Sequence, residues 1–278
     1  MKCVPLGLKL LQVSLSIGVA GVICHPERLL AANLPSEGAI YSEPQSSGTE
    51  NQPNNWNLVL GGGALLSPEF EGSDKFKGTP FPVVFASYKD WIFFDPSGLT
   101  ASVYQTNGFS LAVRAGYDLG RKEDDSDYLK GMGDIDAGGV IGAKLGYRVG
   151  DFGVYSSVDK IVGGSDGLQA KIGAEVSHSF DRFRIGAGVS ATWADDQYME
   201  EYFGVSSAQS LRSGLPTYEA KAGFKRVDFT ASATYQITDH WLVRGEAGVG
   251  QLLGDAADSP IVQDKFQPSG MLSIGYKF

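Results

Sequence analysis

From Trp56 onward, apolar residues alternate with small or polar ones along most of the chain, which is the two-residue period of a strand with one face toward an apolar medium. Phe109, Leu111, Val113, Ala115, Tyr117 and Leu119 share one face, with Ser110, Arg114, Gly116 and Asp118 opposite. The alternation recurs over residues 137–147, 168–180, 183–193, 227–235 and 241–249. Each polar face carries charge: Arg114, Lys144, Arg148, Lys171, Glu175, Arg184, Arg244 and Glu246 all take the inner phase. A soluble sandwich would show the same periodicity, so the connections between strands have to separate the two architectures.

Those connections alternate between short and long. Residues 89–90, 105–108, 149–151, 181–182 and 238–240 are the short ones; residues 67–79, 95–98, 120–135, 161–167, 194–215 and 253–268 are the others, with Asp95-Pro96-Ser97-Gly98 read as a β-turn. Eleven connections give about twelve strands, an even number with both termini on one side, as single-chain bacterial barrels require. Aromatic residues bracket each short turn: Tyr88 and Trp91, Tyr104 and Phe109, Tyr147 and Phe152, Phe180 and Phe183, Tyr235 and Trp241. Amphipathic rings favour the headgroup level, so this pattern predicts a girdle at the short-turn end. The expected fold class is therefore all-β, a transmembrane antiparallel up-and-down barrel. Two regions depart from the pattern. Both faces are apolar around residues 81–104, where Tyr104 falls out of phase and predicts a bulge. Residues 217–236 exceed the 9 to 11 residues that span the hydrocarbon, so the first part of that segment either rises above the membrane or forms a separate hairpin that would change the strand count.

In the last strand Leu272, Ile274, Tyr276 and Phe278 lie on one face. This ending resembles the C-terminal signal by which the barrel assembly machinery recognises bacterial outer-membrane proteins. Composition agrees with such a location. Mean hydropathy is -0.09 and no stretch beyond the leader supplies the roughly 20 apolar residues of a spanning helix, but a barrel needs only every second residue apolar. Residues 1–32 read as a secretory signal peptide, with cleavage after Ala20 or after Ala32. Residues 33–55, rich in Pro, Ser, Gly and Asn, read as a flexible periplasmic linker, and residues 56–278 as the barrel. Cys3 and Cys24 both fall in the leader, so cleavage after Ala32 leaves no thiol chemistry. A net charge of -9 disfavours a nucleic-acid partner; outer-membrane lipid and lipopolysaccharide are the expected surroundings.

Several connecting segments carry a family likeness. GRKEDDSDYLKGMGDIDAG (120–138), TWADDQYMEEYFGV (192–205), SGLPTYEAKAG (213–223), TDHW (238–241) and LLGDAADSPIV (252–262), with GSD (72–74) and PFP (80–82) before them, resemble the MipA/OmpV family of outer-membrane proteins. For the founding branch of that family, the resemblance implies a scaffold that interacts with the murein-degrading lytic transglycosylase MltA and with a murein synthase.

Three groups of residues bear on chemistry. Ser177-His178-Ser179 pairs a nucleophile type with a base type, but neighbours on a strand point to opposite faces, so His178 is poorly placed to activate either serine. Carboxylates crowd the loops at Glu123, Asp124, Asp125, Asp127, Asp134 and Asp136, at Asp195, Asp196, Glu200 and Glu201, and at Asp255 and Asp258. They lack calcium-loop spacing and read as solvated charge or as caps of loop backbone. The inner charges of both signs suggest a narrow lumen largely filled by side chains, with some room left at inward Gly, Ser and Thr. The expectation is a non-enzymatic scaffold or interaction protein without cofactor or metal. A narrow small-solute channel is the alternative, and a lipid-modifying enzyme is third.

Overall fold

A computed structural model describes residues 56–89 and 91–278; the leader and linker readings and Asp90 lie outside them. Among the described residues, twelve antiparallel strands close into one barrel. They are β1 (Trp56–Pro68), β2 (Phe76–Tyr88), β3 (Ile92–Asp95), β4 (Gly98–Thr106), β5 (Phe109–Asp118), β6 (Gly138–Val149), β7 (Phe152–Val162), β8 (Leu168–Phe180), β9 (Phe183–Ala194), β10 (Gly223–Gln236), β11 (Trp241–Leu252) and β12 (Phe266–Lys277). Every strand pairs with its sequence neighbours, and β1 pairs with β12 from Val59↔Lys277 to Leu66↔Gly270 to close the sheet. The Phe278 amide continues this seam with a 3.0 Å bond to the Leu58 carbonyl.

The alternation decides which side each residue faces. Ile141, Leu145, Val154, Val158, Ile172 and Leu272 are exposed on the outer surface, while their neighbours in sequence point inward. Short connections have the expected turn chemistry. At Asn107-Gly108 both residues have positive φ, 44° and 84°, the conformation that suits the twist of a two-residue hairpin. The aromatics beside the short turns form the girdle: Trp56 and Tyr88 lie 4.9 Å apart between ring centres, Phe183 and Tyr235 4.5 Å, and Tyr276 and Phe278 4.9 Å.

The pairing slips between Ser102 and Tyr104, leaving Val103 as the bulge residue and returning Tyr104 to the outer face opposite Leu111. A second bulge, not read from the sequence, lies between Phe224 and Arg226. The long segment resolves simply. Strand β10 starts at Gly223, and residues 217–222 belong to a loop in which Tyr218 bridges Val205 through two backbone bonds of 2.8 and 2.9 Å. No extra hairpin forms, and the strand count stays at twelve.

At the opposite end the structure departs from the solvated loops that the charge pattern suggests. The long connections fold together into an ordered cap with its own apolar core. Helix α1 (Asp196–Phe203) is capped by Asp195, which accepts from the Tyr198 amide at 2.9 Å, and it buries Tyr198, Met199 and Phe203. Helix α2 (Ser207–Ser213) starts in a capping box of Ser206 and Gln209 and stops at Gly214 in the left-handed conformation. A short helix α3 (Gly254–Asp258) buries Ala256 and Ala257. Around these pack Phe70, Leu129, Met132, Val205 and Ile261 from four different connections. A barrel wall can bury little apolar surface because its apolar face meets lipid. The cap is where this chain builds a water-excluding core.

Candidate functional site

Inside the barrel, charged side chains fill the space over glycines. Arg114 on β5 reaches across Gly142 on β6 to Asp159 on β7, with an Nη1–Oδ2 distance of 3.3 Å. Arg148 on β6 reaches across Gly153 on β7 to Glu175 on β8 in the same way. A Cβ on Gly142 would lie 2.0 Å from Asp159 Oδ1, and one on Gly153 would lie 3.2 Å from Glu175. Gly142 and Gly153 are therefore not open lumen, contrary to the spare room expected of inward glycines; each of the two makes way for an ion pair that spans three strands. On β11, Arg244 Nη2 donates to Glu246 Oε2 at 2.7 Å, with side chains only 8% and 1% exposed. Lys144 stands 4.8 Å from the centre of the Tyr155 ring, and Arg184 Nε donates to Ser179 Oγ at 3.1 Å. Lys171 has no hydrogen bond or ion pair among the described residues.

Higher up, a buried network ties the cap to the wall. The bulge at Lys225 turns both it and Arg226 inward, where the β1–β2 connection lowers Glu71 between them. Lys225 Nζ lies 2.9 Å from Glu71 Oε2, with the two side chains 4% and 5% exposed, and it also donates to the Tyr198 hydroxyl at 3.0 Å. Arg226 joins Glu71 at 3.5 Å and Asp228 at 2.5 Å. Burial alone would raise the Glu71 carboxyl, but Lys225 and Arg226 outweigh it and hold the group below its ordinary value. Gln267 adds a neutral tie, accepting from the Gly72 amide at 3.0 Å. On the cap side, Tyr202 donates to Asp118 at 2.7 Å, and burial with that carboxylate raises its phenol well above the ordinary value, so it stays a donor.

Several of the crowded loop carboxylates are engaged by backbone. Glu123 Oε2 accepts from Gly131 and Gly133 at 3.2 and 3.0 Å, Asp134 from Glu123 at 2.9 Å, Glu200 from Ala220 at 3.1 Å and Asp255 from Lys221 at 2.9 Å. Among the described residues, no group of three or more His, Cys, Asp and Glu is arranged to hold a metal ion. His178 points outward with Phe180 and meets Asp151 through Nδ1 at 2.8 Å, with Ser177 on the opposite face. Beneath the cap lies a cavity of about 440 Å³, bordered by Arg114, Asp118, Asp159, Lys171 and Arg226 within, and by Pro82, Val84, Phe94 and Tyr117 toward one side of the wall.

The description that matches this barrel is that of the MltA-interacting protein MipA family, whose model covers residues 60–278. The chain belongs to that family. It is an outer-membrane β-barrel, a class in which short turns face the periplasm and long loops face outward. Its relatives in the family include MltA-interacting protein from Escherichia coli (strain K12), 33% identical over 93 residues, which are 33% of this chain and 36% of the relative. A second, named "Putative outer membrane protein YiaT" and from the same strain, is 23% identical over 124 residues, covering 44% of this chain and 50% of that one. These matches thus span half or less of the relatives' lengths. Among solved structures, the NanC porin aligns over 80% of this chain and 100% of its own at 8% identity and a TM-score of 0.42.

Proposed function

We propose that this MipA-family barrel is a non-catalytic docking protein that holds murein-degrading and murein-synthesising enzymes at the periplasmic face of the outer membrane. The observation that carries this reading is the occupied lumen. In a water-filled pore the inner charges would be wet, whereas Arg244 and Glu246 at mid-height are almost fully covered and the cap closes the outer end over a core of its own. That leaves the periplasmic turns, the girdle and the proposed 33–55 linker as surfaces for a partner. The relative named MltA-interacting protein supports a lytic transglycosylase as that partner. The barrel in nanodiscs, with its N-terminal segment, should retain a purified lytic transglycosylase of the MltA class, and deletion of residues 33–55 together with substitution of Arg182 and Asp239 should weaken retention. Equal passage of the enzyme over barrel-bearing and empty nanodiscs would refute the reading.

The outward row Leu272, Ile274, Tyr276 and Phe278 is, on the same proposal, the face read by the barrel assembly machinery. Tyr276 packs edge-on against both Trp241 and Phe278, so the last ring is part of a cluster. Phe278→Ser should leave unassembled chain in the periplasm, seen as loss of the heat-modifiable band. Normal assembly of that variant would refute a role for the ring.

A further inference from the structure

The barrel wall is incomplete on one side. Strand β3 has four residues, about 13 Å of strand, against an apolar band about 25 Å tall. Strand β2 is 13 residues long but pairs with β3 only at Ala86, Ser87 and Tyr88. On the far side, β4 stays paired with β5 from Thr106↔Phe109 up to Gly98↔Gly116, so the opening lies between the unpaired outer part of β2 and the turn that joins β3 to β4.

The sequence builds this gap deliberately. The Tyr88 carbonyl accepts from Trp91 on the β3 side, so residues of the same parity, Pro80, Pro82 and Val84, turn their backbone groups to that side. The two prolines of the PFP segment have no N–H to offer, which prevents another strand from adding there. An unpaired strand edge is tolerated at membrane depth only where it lines a cavity or meets protein. Here it borders the cavity, whose lining runs from Lys171, Arg114 and Thr192 inside to Pro82, Val84, Phe94, Pro96 and Tyr117 at the opening. The turn that forms the sill is rigid: Asp95 Oδ1 accepts from both the amide and the hydroxyl of Ser97, and the Tyr117 hydroxyl donates to the Pro96 carbonyl.

We propose that this opening is a lateral portal through which a single-chain, phosphate-bearing amphiphile enters from the outer half of the membrane, its chain lying along the unpaired edge of β2 beside the β3–β4 turn and its headgroup inside. Charge placement selects the headgroup. Most inner charges are already engaged, Arg114 with Asp159 and Arg226 with Asp228 and Glu71, which leaves Lys171 as the cation facing the cavity without a partner among the described residues. A phosphate on the entering headgroup meets Lys171.

The test uses the whole barrel in nanodiscs with lysophosphatidylethanolamine as probe, measured by native mass spectrometry and by a fluorescent analogue, with glycerophosphoethanolamine as the chainless control. Saturable binding of the lysolipid, absent for the control, is expected. Lys171→Met should weaken it about tenfold by removing a charge-assisted bond, and Ser97→Trp, which places an indole in the portal, should block it. Heat-modifiable mobility confirms that both variants fold. Binding unchanged in both folded variants, only non-saturable partitioning, or equal binding of the chainless headgroup would overturn the portal.

Discussion

Replacing Gly61 by valine should abolish barrel closure, while the same change one residue later should be tolerated. Gly61 faces inward on β1 opposite Gly275, at the seam where the first strand meets the last. A Cβ at Gly61 would sit 1.9 Å from the Ile274 carbonyl oxygen and 2.8 Å from the Gly275 Cα, both backbone atoms with no rotamer to move away. The strand would have to shift, and the bonds that shift breaks are those joining β1 to β12. Elsewhere in a sheet, overpacking costs about 1 to 3 kcal/mol. At the seam the loss is larger, because an opened barrel leaves two strand edges in hydrocarbon. Gly62 faces lipid, and a Cβ there would meet nothing within 4 Å, so valine only adds apolar surface. Fraction folded, read from heat-modifiable gel mobility after refolding, should fall to near zero for Gly61→Val and stay at the wild-type level for Gly62→Val. Equal folding of the two variants would contradict the close approach at the seam.

The second large effect is expected at Glu71. Glu71→Ala removes the carboxylate from a network in which Lys225 is 4% exposed, leaving an uncompensated buried ammonium. Breaking a buried pair from one side costs about 3 to 5 kcal/mol. The cost falls on the tie between the β1–β2 connection, the bulge of β10 and the Tyr198 hydroxyl, so the cap should loosen while the barrel stays folded. Limited proteolysis should then cut within residues 69–75 and 195–222 at concentrations that spare the wild type. Glu71→Leu with Lys225→Met removes both charges and should restore much of the protection. Acid should reproduce the single variant. The Glu71 carboxyl is held below its ordinary value in the fold, so its contribution is complete above the ordinary carboxylate range and is lost as pH falls through the lowered folded value. Proteolysis that is no faster in Glu71→Ala than in the wild type would mean that the cap is held elsewhere.

Much of the wall could be read from the chain because membrane barrels repeat one rule on every strand. Outward Leu111, Val113 and Ala115 and inward Arg114 follow from period alone, and the Tyr104 bulge follows from a break in that period. The partners within the lumen were less legible. Arg148 and Glu175 both stand on the inner face in the sequence, yet their meeting depends on Gly153 lying between them in register. Arg114 pairs with Asp159, which the inner charge pattern alone did not single out. The cap was hidden for a different reason. Phe70, Leu129, Phe203 and Ile261 belong to separate connections with no shared period, and the surrounding carboxylates mask them as solvated loops. Glu71 and Lys225 are 154 positions apart, and the bulge that turns Lys225 inward shows only as a change of apolar phase between Phe224 and Val227. The portal was legible in part: the PFP segment and the Asp-Pro-Ser-Gly turn were visible, but their consequence depends on β3 being only four residues long.

The barrel is occupied and capped, and we propose that it holds partners rather than passing solutes. Planar-bilayer recording from the purified, heat-modifiable barrel tests it most directly. A quiet membrane with no reproducible unitary steps at neutral pH is the expected result. Stable unitary openings, scaling with salt concentration as a water-filled path does, would contradict it.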